Sequence, residues 1–357
     1  MRLHDTGHRG FASDNYAGAH PEVLAAIAEA NGGHQVSYGE DVYTARLAET
    51  MRGLFGDQAE VFPVFNGTGA NVTALTSMLP RWGAVVATST AHIHTDENGA
   101  PERVSGLKLL TVDAPDGKLT PDLIDRQAWG FGDEHRAQPL AVSITQTTEL
   151  GTLYSVDEIR AVADHVHAKG MTLHMDGARI SNAAAALGVP LRAFTADAGV
   201  DVLSFGGTKN GALYGEAIVV LDPAVTTGLV YLRKLSMQLA SKMRFVSAQL
   251  LALLEDDLHL RSAAHANAMA ARLRGALEDL LDAGEITGLS FSQPTQANAV
   301  FAVLDNRAAD RIRETVRFYD WDRAAGQVRW MTAFDTTEAD VDAFVAAIRR
   351  ELAPRSR

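Results

Sequence analysis

The stretch VDVLSFGGTKNGALYGEAIVV, residues 200–220, decides how this chain is read. Residues 202–205 have the pattern of a short buried strand, and Gly206-Gly207-Thr208 breaks it. Lys209 follows at once, and then the flexible pair Asn210-Gly211. Glycines on both sides let the backbone turn tightly and approach a ligand closely. A lysine held at a strand end in apolar surroundings is a candidate Schiff-base amine. Desolvation lowers its pKa and frees the nitrogen to attack a carbonyl. The competing reading is an ordinary solvated loop lysine.

Upstream, residues 171–175 (MTLHM) read as a second apolar strand, ending in Asp176-Gly177-Ala178-Arg179. An aspartate at the carboxyl end of a core strand faces the crevice where α/β sheets bind ligands. Pyridoxal phosphate needs two groups in such a crevice. A lysine carries its aldehyde, and a carboxylate keeps its pyridine nitrogen protonated so that the ring acts as an electron sink. Asp176 and Lys209 end consecutive predicted strands with a helical stretch, residues 180–187, between them, which can bring both onto one cofactor.

Composition sets the limits. A chain of 357 residues holds one large domain and a smaller one, and 46% apolar residues supply a core. The net charge of -12 is spread along the chain, which argues against nucleic acid or an anionic membrane as partner. With no cysteine, disulfides, thiolate catalysis and cysteine metal sites are excluded, and no metal is expected. The opening MRLHDTGHRG has no apolar signal core, and no apolar run is long enough to span a bilayer. The expectation is a soluble, cytoplasmic protein.

Strand, loop and helix alternate through the first two-thirds of the chain, the doubly wound α/β signature. Ser155-Val156-Asp157-Glu158 is a capping box opening a helix that closes at Lys169-Gly170. A long helical region is expected over residues 227–255. Past Asp257 the pattern changes to a smaller α+β domain with strands at 289–292, 299–304 and 327–333. The expected division is 1–256 and 257–357, with a frayed tail at 354–357.

The stretches MDGARISNAAAALG and SFGGTKNGALYGEA resemble the threonine aldolase group of the fold-type I pyridoxal-phosphate enzymes, and the resemblance runs from Phe11 to Phe344. It implies a transferase-like α/β fold, whose large doubly wound domain has a mixed, mostly parallel sheet, plus the smaller C-terminal domain. It implies that Gly67 and Thr68, in the turn Asn66-Gly67-Thr68-Gly69-Ala70-Asn71, contact the cofactor phosphate. A glycine-rich turn entering a helix offers N–H groups and the positive end of the macrodipole to a phosphate, though such turns are common. The resemblance places His92 on the cofactor ring and an acidic residue at Glu97; His94 has no match and reads as a loop histidine. It places residues 13–15, Ser13 among them, near the substrate, where the alternative is a capping and turn cluster. Tyr38 matches a residue given to the neighbouring subunit's active site. Arg179 contacts the cofactor or the substrate side, or forms a surface ion pair. Many relatives carry a histidine that contacts the substrate hydroxyl; here Thr147, Thr148 and Glu149 occupy that region. Arg329-Trp330-Met331-Thr332 fits the family's arginine–two residues–threonine strand, and a guanidinium there grips a substrate carboxylate bidentately.

The expected reaction is retro-aldol cleavage of L-threonine and L-allo-threonine to glycine and an aldehyde. Lys209, Asp176 and His92 are the catalytic candidates, and the base for the β-hydroxyl proton is His92 or a water it positions. The alternatives share the cofactor: β-elimination, racemisation, or cleavage of a bulkier β-hydroxy amino acid such as phenylserine. A cofactor-binding protein without turnover is opposed by the joint presence of Lys209, Asp176, His92 and Arg329. The resemblance further implies a homodimer or homotetramer with shared active sites and a small amino-acid substrate.

Overall fold

The computed structural model describes residues 3–354, so of the expected tail all but Pro354 lies outside the described residues. Seven strands form the main sheet: β1 (Glu60–Val64), β2 (Gly83–Thr88), β3 (Lys108–Val112), β4 (Gln138–Thr145), β5 (Thr172–Gly177), β6 (Val202–Gly206) and β7 (Glu216–Val220). Their spatial order is β1-β7-β6-β5-β4-β2-β3. The neighbours from β3 through β6 are parallel, and β7 runs antiparallel to both β6 and β1. The sheet is therefore mixed and mostly parallel, as expected.

Parallel strands need helical crossovers, which cover both faces and force the strands to be apolar on both sides. Leu173, Met175, Leu203 and Phe205 point into one core with the helices Val156–Ala168 and Ile180–Leu187. Val85, Ala141, Val202 and Ile218 point the other way, under Ala70, Ala74 and Leu75 of the helix Gly67–Met78. The capping box at Ser155 and Glu158 forms as read from the sequence.

A second, antiparallel sheet holds β8 (Leu289–Phe291), β9 (Ala299–Leu304), β10 (Tyr319–Asp322) and β11 (Gln327–Met331), in the order β10-β11-β9-β8. The helices Leu258–Asp282 and Glu338–Leu352 cover it. Trp330 is fully buried, edge-on to Phe318 at 6.0 Å and to Phe344 at 5.3 Å. Trp330→Ala would cost about 3–5 kcal/mol, the range for a large aromatic removed from a core. Phe11 stacks on Phe344 at 4.4 Å; its N–H donates to the Arg317 carbonyl and its carbonyl accepts from Met331, each at 2.8 Å. That anchoring lays the segment after Phe11 beside Arg329.

Two expectations need correction. The region 227–255 is not one helix: it divides into Leu229–Leu235 and Arg244–Leu254, with Met237 at φ 60 between them. The break frees Gln238 to accept from the Phe65 N–H at 3.0 Å, a tertiary bond a continuous helix would not make. The glycine-rich turn does not precede its helix but forms the helix's first turn, which begins at Gly67 because the Asn66 side chain caps it by accepting from the Gly69 N–H.

Candidate active site

The carboxyl ends of β2, β4, β5 and β6 converge on the amino end of the helix Gly67–Met78. Lys209 sits in the single turn Thr208–Asn210 just past β6. The turn demands glycine where the sequence has it: a Cβ on Gly206 would lie 2.5 Å from the Ala178 carbonyl, and Gly211 has φ 98. Glu216, the first residue of β7, accepts from Gly207 N–H at 2.8 Å and so fixes the turn's entry. Burial, and then the Arg179 guanidinium, hold the Lys209 amine below the ordinary lysine range, while Asp14, Asp176 and Glu216 pull it back up. Its amine has no hydrogen bond or ion pair to any described residue.

Asp176 is buried at the end of β5. Its Oδ1 accepts from the Ala178 N–H at 2.9 Å and its Oδ2 from Asn71 Nδ2 at 2.8 Å. Asn71 Nδ2 also donates to Glu97 Oε1 at 2.9 Å, and the same oxygen meets His92 Nδ1 at 2.9 Å. His92, Glu97 and Asp176 thus bring their ligating atoms within 4.8 Å of one another. One oxygen of each carboxylate accepts from the Asn71 amide. The Glu97 hydrogen bond raises the His92 pKa against burial, with help from the Asp176 charge. Glu149 accepts from the His92 backbone N–H and from Thr145 Oγ1, both at 2.8 Å. Burial, then Asp176, push its carboxyl up.

The Arg179 guanidinium forms a largely buried, two-pronged pair with Asp14, Nε to Oδ2 at 2.7 Å and Nη2 to Oδ1 at 2.9 Å, rather than a surface ion pair. Asn298 adds a third donor to Asp14 at 3.1 Å. Arg329, half-buried on β11, reaches only the Ala12 carbonyl, at 3.5 Å. Burial, then Arg179, push it down to about 10, so it stays a cation at neutral pH with no carboxylate partner among the described residues. It lines a cavity of 520 Å³ with Thr90, Asp96, Tyr319 and Trp321. Ser13 caps the short turn Asp14–Tyr16 and lines a separate cavity of 360 Å³. The Tyr16 and Tyr319 hydroxyls, 2.5 Å apart, bridge the two.

Tyr38 lies apart from this cluster, 47% exposed at φ 62, with the Lys234 ammonium 4.7 Å above its ring. Thr147 and Thr148 are buried, and the Thr148 hydroxyl bonds Thr152 at 2.6 Å. Sequence reasoning placed Asp14 near the substrate without its Arg179 partner, and missed Asn71 and Glu216. Asn71 lies in a stretch already read as a turn, but its partners Glu97 and Asp176 come from other segments, whereas the partners of Glu216, Gly207 and Thr208, are only nine and eight positions away. A polar residue flanked by a glycine turn and an apolar run was the available signal.

Pyridoxal phosphate can be tested against these residues. Asn71 Oδ1, Glu97 Oε2, Glu149 Oε2 and Arg329 Nε are buried without a hydrogen-bond partner. Unpaired buried polar atoms carry a desolvation cost, so this concentration suits a polar ligand. The Asn66 cap takes Gly69 N–H, and the amides of Gly67 and Thr68 at the helix's positive end fit a phosphate. The residues present fit the group.

Sheet order, helix-covered faces and the second antiparallel sheet define the fold of the fold-type I pyridoxal-phosphate-dependent enzymes. The chain belongs to the beta-eliminating lyase family, which its sequence matches over residues 10–306. It is 46% identical over 341 residues to a low specificity L-threonine aldolase of a Pseudomonas species, spanning 95% of this chain and 96% of that one. It is 44% identical over 328 residues to a low specificity L-threonine aldolase of Pseudomonas aeruginosa, spanning 91% and 93%. The solved threonine aldolase of Leishmania major superposes with a TM-score of 0.88 at 30% identity, covering 95% of this chain and 98% of that one. Among the described residues no helix is long and apolar enough to cross a membrane.

Proposed function

We propose that this enzyme cleaves L-threonine and L-allo-threonine to glycine and acetaldehyde in the cytoplasm. One observation carries the residue assignments: Lys209 and Arg329 both face the crevice as amine and guanidinium without a carboxylate partner. An α-amino acid bound through a cofactor needs an attachment point for the cofactor and an anchor for its carboxylate.

Pyridoxal phosphate, when bound, supplies the electron sink that takes the Cα–Cβ bonding pair. Lys209 provides the amine that holds its aldehyde, and the lowered pKa leaves that nitrogen more readily unprotonated. Asp176 presents a buried charge to the ring nitrogen, and Gly67, Thr68 and Arg179 are assigned to the cofactor. Arg329 grips the substrate carboxylate in a planar fork, and Ser13 and Arg179 are assigned to the substrate as well. His92 has Nδ1 committed to Glu97, so Nε2 is the atom that takes the β-hydroxyl proton or holds a water that does.

The active form is an oligomer with shared sites. Val230, Tyr231 and Leu235 on the helix Leu229–Leu235 and Met237 just past it are exposed, and Lys234 of that helix reaches the ring of Tyr38, itself exposed like Val42; these apolar side chains offer a surface that a second copy of the chain would cover. Gln238 links this surface to Phe65, next to the Gly67 turn. Tyr38 then serves the partner's site.

The test is product analysis with L-threonine. Equimolar glycine and acetaldehyde are expected, and borohydride reduction should fix the cofactor on Lys209. Ammonia release without glycine would replace the aldolase reading by β-elimination, and a label on another lysine would overturn the assignment of Lys209.

A further inference from the structure

The sheet face that carries Asp176 holds a second polar arrangement that the steps above do not use. His174 lies two residues before Asp176 on β5, so both side chains leave the same face of the sheet. The ring has no exposed surface. Its Nδ1 is 2.9 Å from Ser143 Oγ on β4, and its Nε2 is 3.0 Å from Ser204 Oγ on β6. In the strand register Ser143 stands opposite His174, and Ser204 stands opposite Asp176. A serine–histidine–serine line therefore crosses three adjacent strands and ends beside the carboxylate. Around it the face is apolar, with Ala141, Val202, Ala70 and Ala74.

Stability alone does not call for this line. A buried imidazole is costly unless both nitrogens are paired, and replacing a fully paired buried group and its partners by apolar side chains is often nearly neutral. The chemistry of the line is specific. Each serine hydroxyl can donate or accept, so a neutral ring, with one N–H and one bare nitrogen, is satisfied on both sides. A protonated ring would be a buried charge. Burial accordingly holds His174 down to about 4, although the Asp176 charge pulls it up.

We propose that Ser143, His174 and Ser204 are positioning residues for Asp176: the ring, hydrogen-bonded to a serine on each flanking strand, ties β4, β5 and β6 together two residues before Asp176 and so fixes where its carboxylate enters the crevice. There Asn71 Nδ2 and the Ala178 N–H orient it. The inference rests on the assignment of Asp176 to the cofactor's ring nitrogen.

The experiment compares wild type with His174→Gln, with the triple variant Ser143→Ala/His174→Leu/Ser204→Ala, and with Asp176→Asn. Thermal melts of the apoproteins report folding. Fluorescence titration gives the Kd for pyridoxal phosphate, the visible absorption band reports its state, and L-threonine cleavage gives kcat and KM. The triple variant leaves no buried polar atom of the line unpaired and should melt near wild type. It should bind the cofactor about tenfold more weakly, with an altered band, and lose about tenfold in kcat with KM little changed, the size typical of groups that orient a site's primary contact. His174→Gln keeps a neutral donor and acceptor and should recover most of this loss. A triple variant with wild-type Kd, band and kcat would overturn the proposal and reduce the line to packing. If the triple variant does not fold, Ser204→Ala decides: unchanged Kd and kcat overturn the proposal, and a weakened Kd supports it. Asp176→Asn separates the two layers, since wild-type behaviour there would defeat the assignment of Asp176 itself.

Discussion

The Asn71 carboxamide holds Asp176: its Nδ2 donates to Asp176 Oδ2 at 2.8 Å, and also to Glu97 Oε1 at 2.9 Å. One amide thus joins the carboxylate assigned to the cofactor nitrogen to the carboxylate that orients His92. Without it two buried carboxylates would share the space with no donor between them, and like charges so placed raise one another's pKa.

Asn71→Asp should therefore damage the site more than Asn71→Ala. It keeps the shape but puts a third carboxyl among Asp176 and Glu97. The expected loss of kcat is about 10-fold for alanine and about 100-fold for aspartate, the scale for residues that orient catalytic groups. Circular dichroism and kcat for threonine cleavage check it. Equal activities in the two variants would mean that the amide's hydrogens are not what matters.

Glu216 gives a pH prediction. Burial pushes its carboxyl up to about 7, against the pull of the Thr208 and Gly207 hydrogen bonds and the Lys209 charge. The unfolded value is about 4.5. A group whose folded pKa is raised contributes its full stability below the unfolded pKa and loses it as pH rises through the folded value. Glu216 thus costs stability progressively between pH 4.5 and 7. Glu216→Gln keeps a carbonyl for the Gly207 N–H and cannot ionise. Its melting temperature relative to wild type, measured on the apoprotein, should be higher at pH 8 than at pH 5. A difference that does not change with pH would show that Glu216 does not titrate in this window.

Much of this was legible in the chain. Alternating apolar strands and helices, the capping box at Ser155 and the glycines around Lys209 all act locally, so sequence reports them. What sequence could not report is a partner far along the chain. Asp14 meets Arg179 across 165 positions and Asn71 meets Asp176 across 105. Residues 236–243 misled for the same reason. Ser236, Gln238 and Lys242 fit a helix by propensity, yet Gln238 is held by Phe65 and Tyr38 N–H by the Ser241 carbonyl. Tertiary bonds outweigh propensities of a few tenths of a kcal/mol per residue.

The proposed interface is tested by charge. Tyr231 and Leu235 are 80% and 75% exposed on the helix Leu229–Leu235. Placing carboxylates in an apolar interface carries a desolvation penalty on each subunit. Tyr231→Glu/Leu235→Asp should shift the protein toward monomer in sedimentation velocity and lower kcat in parallel, because the Tyr38 contribution is lost. Unchanged sedimentation would remove this surface from the interface, and monomers with full activity would show that each site is complete within one chain.

Arg329 is expected to set substrate pose as well as affinity. Its guanidinium lies 5.4 Å over the Trp321 ring, its Nε is buried without a partner, and Nη2 has only the long contact to Ala12. Planar hydrogens therefore remain for a carboxylate, and two parallel bonds to its oxygens restrict rotation about the substrate's N–Cα bond. Cleavage requires the Cα–Cβ bond to stand perpendicular to the cofactor ring, so a small rotation loses overlap. Arg329→Lys keeps the charge and loses the fork. It should raise KM for L-threonine and also lower kcat, each by about tenfold, a total of about 2.7 kcal/mol in kcat/KM. Steady-state kinetics followed through acetaldehyde reduction separates the two effects. A rise in KM alone would make Arg329 a source of uniform binding without orientation. If neither constant changes, Arg329 lies outside the substrate site, and the carboxylate must be held by Arg179 at the expense of its pairing with Asp14.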